Sequence, residues 1–115
     1  MRRTNNENVM LALLDMEETQ SHNGNLYTIY DFINHRWVLV NYATPIAVRD
    51  DIGEIWINTE KYSRTTSKIQ SQLHSICNRY SWKHSGVFDT DENTLRDMIY
   101  IKLPFKSINP RPWWY

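Results

Sequence analysis

The residues WVLVNYATPIAVRDDIGEIWIN, positions 37–58, decide the fold of this chain. Residues 37–42 are a mostly apolar and aromatic stretch that predicts a strand, and residues 46–49 resume it after Thr44-Pro45 interrupts it. Residues 50–53 (DDIG) predict a turn, since aspartate and glycine favour turns, and residues 54–58 predict the return strand. Pro45 cannot donate to a strand ladder, so it indicates a strand start or a sheet edge. The stretch therefore predicts a β-hairpin.

A helix is predicted directly after this hairpin. Ser67 and Gln70 match a capping box, in which the serine accepts from a first-turn amide and the glutamine reaches back to the cap. An apolar stripe at helical spacing follows, formed by Ile69, Leu73, Ile76 and Tyr80. The pattern predicts a helix that starts at Ser67 and buries this stripe.

Further elements are predicted on both sides of this unit. Residues 7–18 predict a helix capped by Asn5-Asn6 and stopped by the turn-rich residues 19–25, and residues 26–32 predict a strand. Residues 89–92 can cap a short helix through Met98, and a last strand is predicted through Ile99, Ile101 and Leu103. The 115 residues fit one domain. We expect an α+β fold in which a small antiparallel sheet, with its hairpin at about residues 37–58, packs against two or three helices.

Charge is unevenly distributed along a chain whose formal net charge is zero. Residues 4–60 hold nine acids against two arginines, whereas residues 61–88 hold five cations and no acid. These cations, Lys61, Arg64, Lys68, Arg79 and Lys83, are the predicted partner-binding residues. Such a basic surface can attract an acidic protein or nucleic-acid phosphates. Residues 61–68 (KYSRTTSK) also place hydroxyls and cations at a helix N-terminus, where they either bind an anion or simply cap the helix.

A zinc site is the metal alternative, although we expect no cofactor. His74 and Cys77 lie one helical turn apart, His84 follows, and His22, His35 or Asp89 would have to complete the ligand set. The spacing matches no standard zinc motif. A small core-facing cysteine beside two surface histidines explains the same residues, and Cys77 with His74 lacks the third residue of a nucleophilic triad.

The C-terminal residues 104–115 predict an extended aromatic tail, because Pro110 and Pro112 disfavour regular structure. Its last residues are Trp113, Trp114 and Tyr115. Three adjacent aromatic rings can latch onto the core of the domain, dock a partner, or stack on nucleic-acid bases. Trp113 and Trp114 are therefore also predicted partner-binding residues.

The cellular compartment follows from two further features of the sequence. Cys77 is the single cysteine, which excludes an intramolecular disulfide and favours a reducing compartment. The apolar run at residues 9–14 is too short to cross a membrane, and it has no secretory cleavage site. We therefore expect a cytoplasmic protein that does not act at a membrane.

Residues 41–73 resemble a small bacteriophage domain of unknown function. The pattern consists of NYATPIA at residues 41–47, IWIN at residues 55–58, and KYSRTTSKIQ at residues 61–70. The resemblance implies a strand–turn–strand–helix unit and a place in the cytoplasm of an infected bacterium, and it supplies no catalytic residues. Small non-enzymatic phage proteins are often inhibitors of host defence systems.

These observations lead to one functional expectation and one alternative. We expect a phage-encoded, non-enzymatic inhibitor of the anti-CRISPR type, which binds a host defence protein such as a Cas nuclease. The alternative is a phage nucleic-acid-binding protein that uses the basic residues 61–84. The sequence shows no group of residues that is typical of a catalytic site, so an enzyme is not expected.

Overall fold

A seven-stranded mixed sheet forms the body of the protein in a computed structural model that describes residues 1–100. The strands lie in the sheet in chain order. They are β1 (Arg2–Thr4), β2 (Thr19–Ser21), β3 (Leu26–Asp31), β4 (Arg36–Asn41), β5 (Thr44–Arg49), β6 (Glu54–Asn58) and β7 (Gly86–Thr90). The predicted small antiparallel sheet is therefore wrong in size and in strand direction, although the class remains α+β.

The prediction failed at the two ends of the sheet. The pairs from β2 to β6 are antiparallel, and the predicted hairpin is the β4–β5–β6 part of this meander. The end pairs, β1 with β2 and β6 with β7, are parallel. A parallel pair requires a crossover, and the crossovers are the helices α1 (Asn6–Asp15) and α2 (Arg64–Arg79). Each end of the sheet is therefore a β-α-β unit.

The sheet is covered on both faces. Helices α1 and α2 cover one face, where they bury Leu13 and Leu73 against the sheet residues Leu39 and Ile55. Helix α3 (Glu92–Met98) lies on the other face, where Leu95 packs against three valines of the central strands, Val38, Val40 and Val48. The predicted apolar stripe of α2 is confirmed for Ile69, Leu73 and Ile76, which are all buried, whereas Tyr80 is half-buried.

A bulge in β5 brings two successive residues to the same face. Leu39 pairs with Ala47, but the next residue of β4, Val40, pairs with Pro45. Ile46 is therefore an extra residue on β5, and both Ile46 and Ala47 contribute to the core under α1 and α2. Pro45 is tolerated in this central strand because β6 pairs with β5 only from Ala47 onward.

The start of α2 differs from the prediction. Ser63, not Ser67, is the N-cap, and its side chain accepts from the Thr66 amide. The amide of Ser67 already donates to the Ser63 carbonyl at 2.9 Å, so Ser67 lies inside the helix. Gln70 does not reach back to Ser67. Its amide group donates to the carbonyls of Asn58 and Glu60 instead.

The remaining boundaries shift by a few residues. Helix α1 is capped by Asn5 as predicted, but it ends at Asp15 and is followed by Met16 at a φ of 57°. Asp91 caps α3, which ends at Met98 as predicted. Ile99 follows α3 as its C-cap, and Ile101, Leu103 and the tail with Trp113 and Trp114 lie outside the described residues. None of the helices in residues 1–100 has the length and apolar character that crossing a membrane requires.

The position of the α2 cap leads to a stability prediction. We expect Ser63→Ala to lower the free energy of unfolding by about 1 kcal/mol, because a first-turn amide loses its acceptor. The matched control Ser67→Ala should change it by less than about 0.5 kcal/mol, as for other substitutions that remove no specific interaction. Urea unfolding of both variants measures the difference. A larger loss for Ser67→Ala would contradict the assignment.

Candidate functional site

The exposed face of α2 is the surface on which most of the predicted cations lie. Arg64, Lys68 and Arg79 are exposed and follow each other at intervals of four and eleven residues, which places them on one side of the helix. Lys61 is exposed just before the helix, and Lys83 is half-buried in the 3₁₀ turn Ser81–Lys83 that follows it. The cations therefore extend over the whole length of α2 and beyond both of its ends.

Helix α1 supplies carboxylates to the C-terminal part of this surface. Arg79 lies 3.7 Å from Glu7, and the Lys83 ammonium lies 2.6 Å from Asp15. In contrast, Lys61, Arg64 and Lys68 have no carboxylate of residues 1–100 within ion-pair distance. Positive charge without a counter-charge is thus concentrated at the N-terminal end of α2.

Three hydroxyl groups in residues 61–68 are engaged inside the protein. Ser63 caps α2, and the Thr66 hydroxyl donates to the side-chain oxygen of Asn41 at 2.9 Å. Tyr62 accepts a hydrogen bond of 2.7 Å from Asn58 and donates one of 2.8 Å to Glu92. Capping accounts for Ser63, and the Thr66 and Tyr62 hydroxyls serve internal contacts. The three cations Lys61, Arg64 and Lys68 remain exposed to solvent.

Clefts formed by residues 1–100 border the α2 surface. One, of about 300 Å³, lies beside the start of the helix between Tyr42, Tyr62 and Thr65. The other, of about 310 Å³, runs between α1 and α2 and is lined by Lys68, Gln72 and Arg79 on α2. The second cleft gives the exposed face of α2 a concave border, into which a partner side chain can fit.

Trp82 is a candidate binding residue that the sequence pattern did not indicate. Its side chain is 73 % exposed. The ring stands edge-on against Tyr80, with 5.4 Å between the ring centroids, and the Arg79 guanidinium lies 5.8 Å from the Tyr80 ring on the same segment. Position 82 falls outside the apolar stripe of α2, and this offset is the signal that could have identified an exposed tryptophan.

The residues of the zinc alternative are not brought together. His74 lies 3.9 Å from the exposed Asp89, whereas Cys77 is buried among core residues. His84 approaches Cys77 only through the backbone, since its Nε2 atom lies 2.9 Å from the Cys77 carbonyl oxygen. Within residues 1–100, no three His, Cys, Asp or Glu side chains form a group that could hold a metal ion.

Cys77 is a core residue whose burial favours the protonated thiol. Burial raises the pKa of this thiol from its ordinary value of 9.0 to about 11. A thiol with a raised pKa is almost entirely protonated near neutral pH and is a poor nucleophile. Its position agrees with the interpretation of Cys77 as a small core-facing side chain.

Comparison with known protein families, with curated proteins and with solved structures finds no match to this chain.

The raised pKa of Cys77 predicts a loss of stability at alkaline pH. Below pH 9 the thiol is protonated in the folded and the unfolded chain, so burial has no pH-dependent effect. Above pH 9 the unfolded chain ionises first and binds fewer protons than the folded chain, so stability falls until about pH 11.

We expect the free energy of unfolding to fall by about 2 kcal/mol more between pH 9 and pH 11 in the wild type than in Cys77→Ala. The alanine variant retains the buried tyrosines, so it is the control for their ionisation. Urea unfolding at four pH values measures the effect. Parallel pH profiles for the two proteins would show that the thiol is not protected from ionisation.

Proposed function

We propose that this protein is a non-enzymatic binding protein that docks on an acidic surface of a partner protein through the exposed face of α2 and Trp82. The observation that carries this proposal is the exposure of Trp82. An exposed tryptophan costs solvation free energy, and tryptophan is the residue type most enriched among the energetic centres of protein interfaces.

The surroundings of Trp82 suit a binding role. Its ring rests against Tyr80, so little conformational freedom remains to be lost when a partner covers the other side. Arg79 lies beside this aromatic pair, and arginine is also enriched at interface centres. The aromatic pair with its arginine is therefore proposed as the anchor of the interface.

The cations without counter-charges define the chemistry of the partner. Lys61, Arg64 and Lys68 produce a positive potential that speeds the encounter with an acidic surface and selects against basic ones. Because Arg79 and Lys83 are ion-paired to α1, they add less to this potential. The proposed partner therefore presents carboxylates to the start of α2 and an apolar pocket to Trp82.

The resemblance to a phage domain narrows the proposed partner further. It supports a host defence protein, such as a Cas nuclease, that is bound and inhibited in the cytoplasm of an infected bacterium. Inhibition by binding requires no cofactor and no catalytic group from this chain.

Nucleic acid is the competing ligand, and the geometry favours it less. Only three cations of residues 1–100 lack a counter-charge on this surface, so non-specific DNA binding would release only about three counterions. Glu7 and Asp15 neutralise Arg79 and Lys83, so the C-terminal part of the surface offers little positive charge to a duplex that extends along it.

The proposal is tested with three variants in a pull-down from bacterial lysate. Trp82→Ala and the double charge reversal Arg64→Glu with Lys68→Glu should each reduce recovery of the partner about thirtyfold, as expected for the loss of about 2 kcal/mol at an interface centre. Phe32→Ala is the matched control, because Phe32 is an equally exposed aromatic residue in the β3–β4 turn. It should leave recovery unchanged.

Fluorescence anisotropy with random-sequence duplex DNA and single-stranded RNA completes the test. At physiological salt we expect dissociation constants no tighter than the roughly 10⁻⁴–10⁻⁶ M of non-specific contacts. Sub-micromolar binding that Arg64→Glu with Lys68→Glu abolishes would contradict the protein-partner proposal and establish the nucleic-acid alternative. A partner captured equally by all variants would also contradict it.

A further inference from the structure

The two edges of the sheet are protected to different degrees against pairing with another chain. The edge strand β1 has three residues and carries two arginines. Of these, Arg2 lies 3.7 Å from Glu17, and Arg3 donates to the His22 carbonyl. Short strands and charged side chains are the usual protection of a sheet edge against pairing with another chain. The edge strand β7 has five residues, and its one charged residue is Asp89.

The hydrogen bonding of β7 shows which groups face outward. Thr90 is paired with Asn58, and its carbonyl accepts from the Thr59 amide, so the backbone of Thr90 points toward β6. Because backbone direction alternates along a strand, Phe88 also points toward β6, whereas Val87 and Asp89 point their N–H and C=O groups away from it. Within residues 1–100, nothing pairs with this outer edge of β7.

We propose that the outer edge of β7 pairs antiparallel with β7 of a second copy, about a two-fold axis that passes beside Phe88. The outward-pointing residues then form the hydrogen-bonded pairs. Val87 of each copy exchanges two backbone bonds with Asp89 of the other, which gives four bonds in total. The two seven-stranded sheets become one continuous sheet of two copies.

In this register, the side chains that lie opposite each other in the two copies can pack together. Phe88 lies opposite Phe88 of the second copy in a non-hydrogen-bonded pair, the position where side chains come closest. Phe88 is 40 % exposed and is stacked on Trp56, with 4.6 Å between the ring centroids. Pairing therefore extends each stacked pair into a four-ring aromatic row across the axis. Asp89 lies opposite Val87, so the two aspartates are not directly opposed.

The size of this interface sets the expected strength of the dimer. One five-residue edge with one aromatic row buries less area than the roughly 1,200 Å² at the lower end of standard interfaces. We therefore expect a reversible dimer that forms at micromolar concentrations. Because the dimer needs only this chain, it can be tested with the purified protein and without the proposed partner.

Sedimentation equilibrium of the full chain at about 1 to 200 μM tests the proposal. Wild type should shift from a mass of 13.8 kDa to twice that value as the concentration rises. Asp89→Pro should remain monomeric at all concentrations, because proline removes an outward N–H while leaving the bonds to β6 intact. Asp89→Asn is the matched control. It keeps the N–H and should dimerise like wild type.

A second variant protects the test against loss of folding. If circular dichroism shows that Asp89→Pro is unfolded, Phe88→Lys replaces it, since like charges opposed across the axis disfavour pairing. A wild type that stays monomeric at 200 μM would overturn the proposal. That result is expected if another segment of this chain, or a partner peptide, pairs with the outer edge of β7 instead. A dimer that persists in folded Asp89→Pro or Phe88→Lys would also overturn it.

Discussion

Tyr62 donates a 2.8 Å hydrogen bond to Glu92, and this contact joins the two sides of the sheet. Tyr62 stands just before α2 on one face, whereas Glu92 is the first residue of α3 on the other. Asn58 donates both to Tyr62 and to the Pro45 carbonyl, and Gln70 donates to the Asn58 carbonyl. Burial raises the pKa of Tyr62 well above its ordinary value, so the phenol remains a donor at all physiological pH values.

This network determines which side chains remain for binding. The side chains of Tyr62, Thr66 and Gln70 are engaged in internal hydrogen bonds. These polar side chains therefore stabilise the fold and do not face a partner. Because these polar residues turn inward, Lys61, Arg64 and Lys68 remain exposed at the N-terminal end of α2. Trp82 is exposed in the turn that follows the opposite end of the helix.

The sequence predicts the elements whose pattern is local. The central strands, the buried stripe of α2 and the Asp91-capped helix α3 follow from periodicity and capping residues alone. Strands β1, β2 and β7 could not be predicted, because two of them have three residues each and the third shows no apolar alternation. The pairs of β1 with β2 and of β6 with β7 form only after a helix has crossed over, so these two contacts are non-local.

A non-local contact also decides which serine caps α2, and this could not be predicted from the sequence. Ser63 and Ser67 are equally good caps by residue type, and the choice between them depends on Gln70 finding its acceptors on Asn58 and Glu60 rather than near Ser67.

The most direct test of the structural role of the Tyr62–Glu92 contact is a double-mutant cycle on Tyr62→Phe and Glu92→Gln, measured by urea unfolding. We predict that each single change lowers the free energy of unfolding by about 1–3 kcal/mol, with a coupling of about 1 kcal/mol between them. Two losses below about 0.5 kcal/mol that simply add would contradict a fold that depends on this contact.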